Sequence, residues 1–188
     1  MANSKRRCRQ CKDYALVDTG RIINNGFYCS DDCAIQYAIQ ASAKLREKKE
    51  RTDIRKAKER IKTRAEHLRE AQTAFNAFIR ERDKGLPCIS CGRHHQGQFH
   101  AGHYLSVGAH PEMRFDERNV YLQCAPCNNH LSGNIVEYRK NLIVRYGQKV
   151  VDYLESKHEA KKYTVEQIKE IKSKYRLKLK ELKKQKVA

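Results

Sequence analysis

The chain has 188 residues, 33% of them charged and 39% apolar, with no tryptophan, which excludes one large apolar core and leaves metal sites and solvated helices to carry part of the architecture. Forty Lys and Arg against 22 Asp and Glu give a formal charge of +18, so a polyanion is the expected partner, nucleic acid before acidic lipid, because no amphipathic anchor with a broad apolar face is visible. No apolar run approaches the roughly 20 residues needed to span a bilayer, and "MANSKRRCRQC" has basic residues with no apolar stretch behind them, so no membrane segment or signal peptide is expected and a reducing, cytoplasmic location follows.

Residues 1–40 read as an N-terminal four-cysteine zinc finger. Cys8 and Cys11 form one pair and Cys29 and Cys33 the other, with 17 residues between the pairs, a loop carrying Asn24, Asn25 and Gly26, and then "FYCSDDC". Ser30 is placed to cap a helix beginning near Asp31, which would bring Cys33 onto its first turn. The other cysteines also fall in pairs, Cys88 with Cys91 and Cys124 with Cys127. In a reducing compartment, thiolate pairs two or three residues apart grip one tetrahedral ion from adjacent backbone turns, so two structural Zn²⁺ are expected. The competing reading, a redox dithiol, does not explain four pairs with none left over.

Residues 34–82 contain no Pro or Gly and have the composition of a long helix, with 41–82 as a basic helical linker. Ile54, Ile61, Leu68 and Phe75 recur every seven residues, a narrow seam suited to a second helix or a second copy of the chain. Residues 83–163 hold most of the Gly and Pro. Short apolar runs, "QFHAGHYL" and "NVYLQC", suit brief strands, and "NIVEYRKNLIVRYGQKVVDYLESKH" suits helices broken at Gly147. Residues 164–188 open on "TVEQ", a capping-box pattern, and continue as a basic helix with Ile168, Ile171, Tyr175, Leu179 and Leu182 on one face. The expected fold class is therefore α+β and mostly helical. Most of the surplus charge lies in the helical arms, since residues 83–163 carry 11 basic and 8 acidic side chains, a net of only +3.

The order "CISC", "AGHY", "ERNVYLQC" and "APCNNH" resembles the HNH nuclease family in its four-cysteine, treble-clef form, whose ββα-metal motif has a histidine on the first strand, an asparagine in the loop and a metal-binding side chain at the helix start. The matching positions are His103, Asn119 and Asn128. More narrowly, "NAFIRERDKGLPCISCG", "AGHY", "RFDERN", "QCAPCNNHLSGN" and "YRKNLI" are similar to the NinG (Rap) recombination proteins of lambdoid phages. That resemblance implies a treble-clef, HNH-like zinc domain at 83–163 and a metal-dependent endonuclease in the host cytoplasm. Its substrates would be branched recombination intermediates such as D-loops and Holliday junctions, its products would carry a 5′-phosphate and a 3′-hydroxyl, and a recombinase and a second copy of the chain would be possible partners.

The chemistry agrees with the resemblance. Phosphodiester cleavage needs a base for water and a cation for the leaving oxyanion. Near pH 7 a neutral imidazole suits the first task, and His103 is the candidate base. Asn119 would either accept from a ring N–H or fix a nearby loop. A thiolate-saturated zinc has no open coordination position, so the cysteines are scaffold and a separate Mg²⁺ or Mn²⁺ is expected. Its expected ligands are His100, Asn128 and His130, with His130 also a candidate catalytic residue. Many HNH enzymes have Asp or His immediately before the base, whereas this chain has Gly102. On a strand His100 would face away from His103, so its use as a ligand requires a bend at Gly102. His94 and His95 read as an exposed knuckle loop with no assigned role. The alternatives are a non-catalytic zinc-finger DNA-binding accessory protein of recombination and, more remotely, an RNA-binding protein.

Overall fold

The computed structural model describes residues 4–185, so the last three residues of the expected C-terminal helix and the first three of the finger lie outside the described residues. The fold is mixed α and β and mostly helical, in two compact units that divide between Lys62 and Thr63. No described helix is long and apolar enough to cross a membrane.

The first unit begins with two small antiparallel hairpins, β1 (Lys5–Arg7) with β2 (Tyr14–Leu16) and β3 (Arg21–Ile23) with β4 (Gly26–Tyr28). Asn24 and Asn25 turn the second hairpin at φ 46° and 59°, a left-handed conformation that asparagine adopts more readily than branched residues do. Ser30 caps α1 (Asp31–Arg60) by accepting from the Cys33 amide, which sets Cys33 on the first turn. Arg21 pairs with Asp31 at the same end. The apolar interior is small: Cys8, Phe27 and Tyr28 are buried, with Tyr37 packed 5.3 Å from Tyr28 between ring centroids. No residue of α1 is buried, so its 30 residues form a rod of about 45 Å with its basic side chains in solvent.

The helix expected from 34 to 82 is two helices. Thr63 opens α2 (Arg64–Arg82) with a reciprocal capping box: its hydroxyl accepts from Glu66 N, and the Glu66 carboxylate accepts from Thr63 N. The break needs neither Gly nor Pro, because a Thr followed three residues later by Glu satisfies the amides of a new helix start. The seven-residue seam divides there too. Ile54 and Ile61 are exposed, whereas Leu68 and Phe75 pack against α5 (Val165–Gln185) in the core of the second unit. Thr164 and Gln167 cap α5 reciprocally, as "TVEQ" indicates.

Helices α2 and α5 lie together along Phe75, Phe78, Ile79, Ile168 and Tyr175, with the Phe75 and Tyr175 rings edge-on at 4.7 Å. Strands β5 (Phe99–His103) and β6 (Val120–Cys124) pair antiparallel, Phe99 opposite Cys124 and His103 opposite Val120. Ala101 and Val120 belong to the α2–α5 core, and Tyr121 joins the opposite core with Tyr138 and Leu142 of α3 (Ile135–Tyr146) and Val151 and Leu154 of α4 (Gln148–Glu155). Gly147, at φ 89°, separates α3 from α4 as expected. At the end of α2 the buried Asp83 carboxylate accepts from Leu122 N, and Arg82 donates to Val120 O, which fixes the hairpin against the helix.

Candidate metal centres and the histidine cleft

Two sets of four thiols come together, Cys8, Cys11, Cys29 and Cys33 in the first unit and Cys88, Cys91, Cys124 and Cys127 in the second, each with its sulfurs within 4.8 Å of one another. All eight are free thiols. A tetrahedral ion with Zn–S bonds of about 2.3 Å holds its sulfurs roughly 3.8 Å apart. The separations of 3.6 Å (Cys11–Cys29), 3.5 Å (Cys29–Cys33) and 3.9 Å (Cys91–Cys124) fit that spacing and lie far from a disulfide bond. Tight turns present the sulfurs. In the first unit Cys8 N donates to Asp13 O and Lys12 N to Cys8 O, with Lys12 in the left-handed region at φ 71°.

The electrostatics of each set call for a cation. Burial raises the Cys8 thiol, but backbone N–H groups of Cys29, Cys11 and Gln10 outweigh it and bring it down to about 6. Cys29, beside Cys33 and then Cys11, is pushed up to about 12. In the second set burial likewise opposes Cys88, yet amides of Cys124, Cys91 and Ser90 lower it, while burial raises Cys124. In each set one thiol, Cys8 or Cys88, is stabilised as thiolate by amides while another, Cys29 or Cys124, resists ionising. A divalent ion reverses that repulsion, so both tetrads fit Zn²⁺.

The second set holds the segment that carries polar side chains past β6. Cys124 ends the strand, and Cys127 sits in the wide π-type turn Pro126–His130. Ser132, Gly133 and Asn134 follow at positive φ, which returns the chain so that Gly133 N meets Cys127 O at 3.0 Å and Asn134 Nδ2 approaches Cys127 Sγ at 3.8 Å. Asn134 is thus a structural residue in this turn. His95, to which the sequence assigned nothing, contacts the same centre: its Nε2 lies 3.1 Å from Cys91 Sγ. Its position four residues after Cys91 was the only signal available.

Beside this centre is an open cleft of about 590 Å³. His103 and Asn128 both line it, together with His110 and the segment from Tyr104 to Val107. His103 Nε2 is 3.1 Å from Arg114 O, so the ring donates there and keeps its lone pair on Nδ1. Burial lowers the His103 pKa, the Arg114 charge acts in the same direction, and the backbone carbonyls of Arg114 and Ala101 oppose it. The net result is an imidazole that is neutral at pH 7.

Asn119 is fully buried and makes no hydrogen bond to the His103 ring. Its Oδ1 accepts from Leu105 N at 2.8 Å, and its Nδ2 donates to Leu105 O at 3.0 Å and Met113 O at 3.2 Å. Of the two roles the sequence left open, it performs the second, pinning both ends of the loop that leads to Arg114. The orienting partner of His103 is a backbone carbonyl, which no side-chain pattern reveals.

The expected trio of His100, Asn128 and His130 is not brought together. The β5–β6 ladder is regular through Gly102, so no bend turns His100 toward His103, and His100 pairs across the sheet with Gln123. His100 Nε2 is buried with no hydrogen-bond partner among the described residues. His130 is exposed at the end of its turn and is not among the residues that line the cleft. Gly102 is explained by packing: a Cβ there would lie 2.0 Å from Gln123 Oε1. A side chain at that position requires Gln123 to shift.

The architecture thus defines a protein with two four-cysteine clusters that could each hold a zinc ion, one of them beside a cleft lined by His103. The sequence profile described as bacteriophage lambda NinG protein matches residues 1–185, and the chain belongs to that family. It is 42% identical to a protein named Protein ninG of Escherichia phage 933W over 195 residues, covering 95% of this chain and 94% of that one. The proteins of the same name in Escherichia phage lambda and Salmonella phage P22 are each 40% identical, covering 95% and 96% of this chain and 94% and 95% of theirs. No solved structure matches.

Proposed function

We propose that this protein is a metal-dependent endonuclease of the HNH type that cuts branched DNA during phage recombination. The observation that carries the reading is His103: a neutral imidazole, with one nitrogen held by Arg114 O, lining an open cleft that also receives Asn128 from the cysteine-braced turn. The order of knuckle, hairpin and helix, with both cysteine pairs at one end of the hairpin, agrees with a treble-clef ββα-metal arrangement.

In this reading His103 Nδ1 takes the proton from water as the water attacks phosphorus. Asn119 holds the loop that keeps Arg114 O against the ring. Asn128 would help to hold a divalent ion, Mg²⁺ or Mn²⁺, which would supply positive charge for the leaving 3′ oxygen. The products carry a 5′-phosphate and a 3′-hydroxyl. The exposed cations of α1 and the basic face of α5 contact phosphates without reading bases, so binding falls steeply with salt and recognition is by shape.

The test is cleavage of linear, forked and four-way DNA by the zinc-loaded protein with Mg²⁺ or Mn²⁺, with binding measured alongside, for wild type and His103→Ala. Equal binding with cutting lost in the variant is the expected result, and equal cutting refutes the role of His103. The second reading, a non-catalytic zinc-finger DNA-binding accessory protein, is favoured by one feature: no carboxylate is among the residues lining the cleft. It gains if wild type binds every substrate and cuts none.

A further inference from the structure

We propose that His110, oriented by Glu112, is a ligand of the divalent ion in the His103 cleft, taking the place that the sequence pattern assigns to the residue before the base. The inference rests on the nuclease reading for its purpose, but the binding site can be tested without cleavage.

The argument follows the unshared electron pairs. His110 lines the cleft with His103 and Asn128. Its Nδ1 is 3.1 Å from Glu112 Oε1, so the ring donates from Nδ1 and leaves Nε2 as an acceptor. Asn128 donates from Nδ2 to Asn129 Oδ1 at 2.8 Å, and its own Oδ1 accepts no hydrogen bond among the described residues. Two side chains of one cleft therefore each have an electron pair available. A histidine that gives its second N–H to a carboxylate is the usual arrangement around bound metal, since the partner fixes the ring and raises its basicity.

The backbone around this pair is well fixed. His110 N donates to Ser106 O at 2.8 Å, and His110 O accepts from Met113 N at 3.1 Å at the start of a short helical turn. Glu112 O accepts from the Tyr163 hydroxyl at 3.2 Å. The Glu112 side chain is only 14% exposed while that of His110 is 43% exposed, a mostly covered carboxylate behind an accessible ring. One imidazole nitrogen and one amide oxygen, completed by water and a phosphate oxygen of the DNA, suit Mn²⁺ better than Mg²⁺, which favours all-oxygen sets.

The experiment is Mn²⁺ uptake by the zinc-loaded protein, followed through the free-ion EPR signal, with and without a phosphorothioate duplex. Wild type is expected to take up one Mn²⁺. His110→Ala and His110→Gln should weaken uptake by at least about tenfold, and Glu112→Gln by about tenfold. Zinc content and melting temperature verify that each variant is folded. The inference is overturned if both His110 variants bind Mn²⁺ like wild type, or if wild type binds none in either condition. A protein that takes up Mn²⁺ through His110 and cuts nothing refutes only the nuclease reading. One that cuts through His103 with uptake indifferent to His110 refutes only this inference.

Discussion

Asn119→Ala separates the two roles that an asparagine has in such a site. Asn119 is fully buried and makes three hydrogen bonds to backbone, two to Leu105 and one to Met113. Alanine removes all three and leaves the Leu105 amide and carbonyl without their partner, while Met113 O keeps its bond from Asp116 N at 3.2 Å. At about 1 kcal/mol for each bond the loss is roughly 3 kcal/mol, more if water does not enter the space. For a unit of this size that corresponds to a fall in melting temperature of roughly 10 °C. The loop then no longer holds Arg114 O against His103, so the proposed cleavage should fall as well, although the altered side chain makes no hydrogen bond to the ring. Urea unfolding of the zinc-loaded protein measures the first effect and single-turnover cleavage the second. Asn119→Asp sharpens the test, because it keeps the acceptor for Leu105 N but sets a buried carboxylate against two carbonyls, and it should be at least as destabilising. An Asn119→Ala protein that unfolds within about 0.5 kcal/mol of wild type would refute the loop-clamp assignment.

Two further expectations follow from the same cleft. Burial lowers the folded-state pKa of His103 below its unfolded value near 6.5, so the folded protein resists the proton that the unfolded chain accepts. That contribution is complete above the unfolded pKa and is lost as pH falls through the folded one. His103→Gln should therefore flatten the decline in stability between neutral and mildly acidic pH, and superimposable unfolding profiles for the two proteins would contradict it. At position 102, Gly102→Asp should destabilise by more than about 2 kcal/mol through overpacking and a buried charge, without tightening Mn²⁺ binding, because its side chain must displace Gln123 from Ser90 and Gly133. A stable variant with stronger Mn²⁺ uptake would show that the position can serve the cleft.

Local chemistry made several features legible before any fold was considered. Ser30 at the start of α1, Thr164 with Gln167 at the start of α5 and Gly147 between α3 and α4 each act within one turn of the backbone. The break after α1 is equally local, but it lies in the Thr63–Glu66 capping box, a pattern without the Gly or Pro that usually marks a helix end. His103 and Asn128, each set by its distance from a cysteine pair, both line the cleft.

The amino-acid sequence by itself determined that eight thiols form two sets, that the arms are helical and basic, and that an imidazole lies between the second set's halves, because spacing, capping and composition operate over a few residues. Only the tertiary structure decided which side chains share a space with that imidazole. Strand register turned His100 onto the other face, the turn after Cys127 left His130 in solvent, and a loop pinned by buried Asn119 brought His110 into the cleft. Such outcomes depend on backbone pairing between residues distant in the chain, and a linear pattern does not contain that distance.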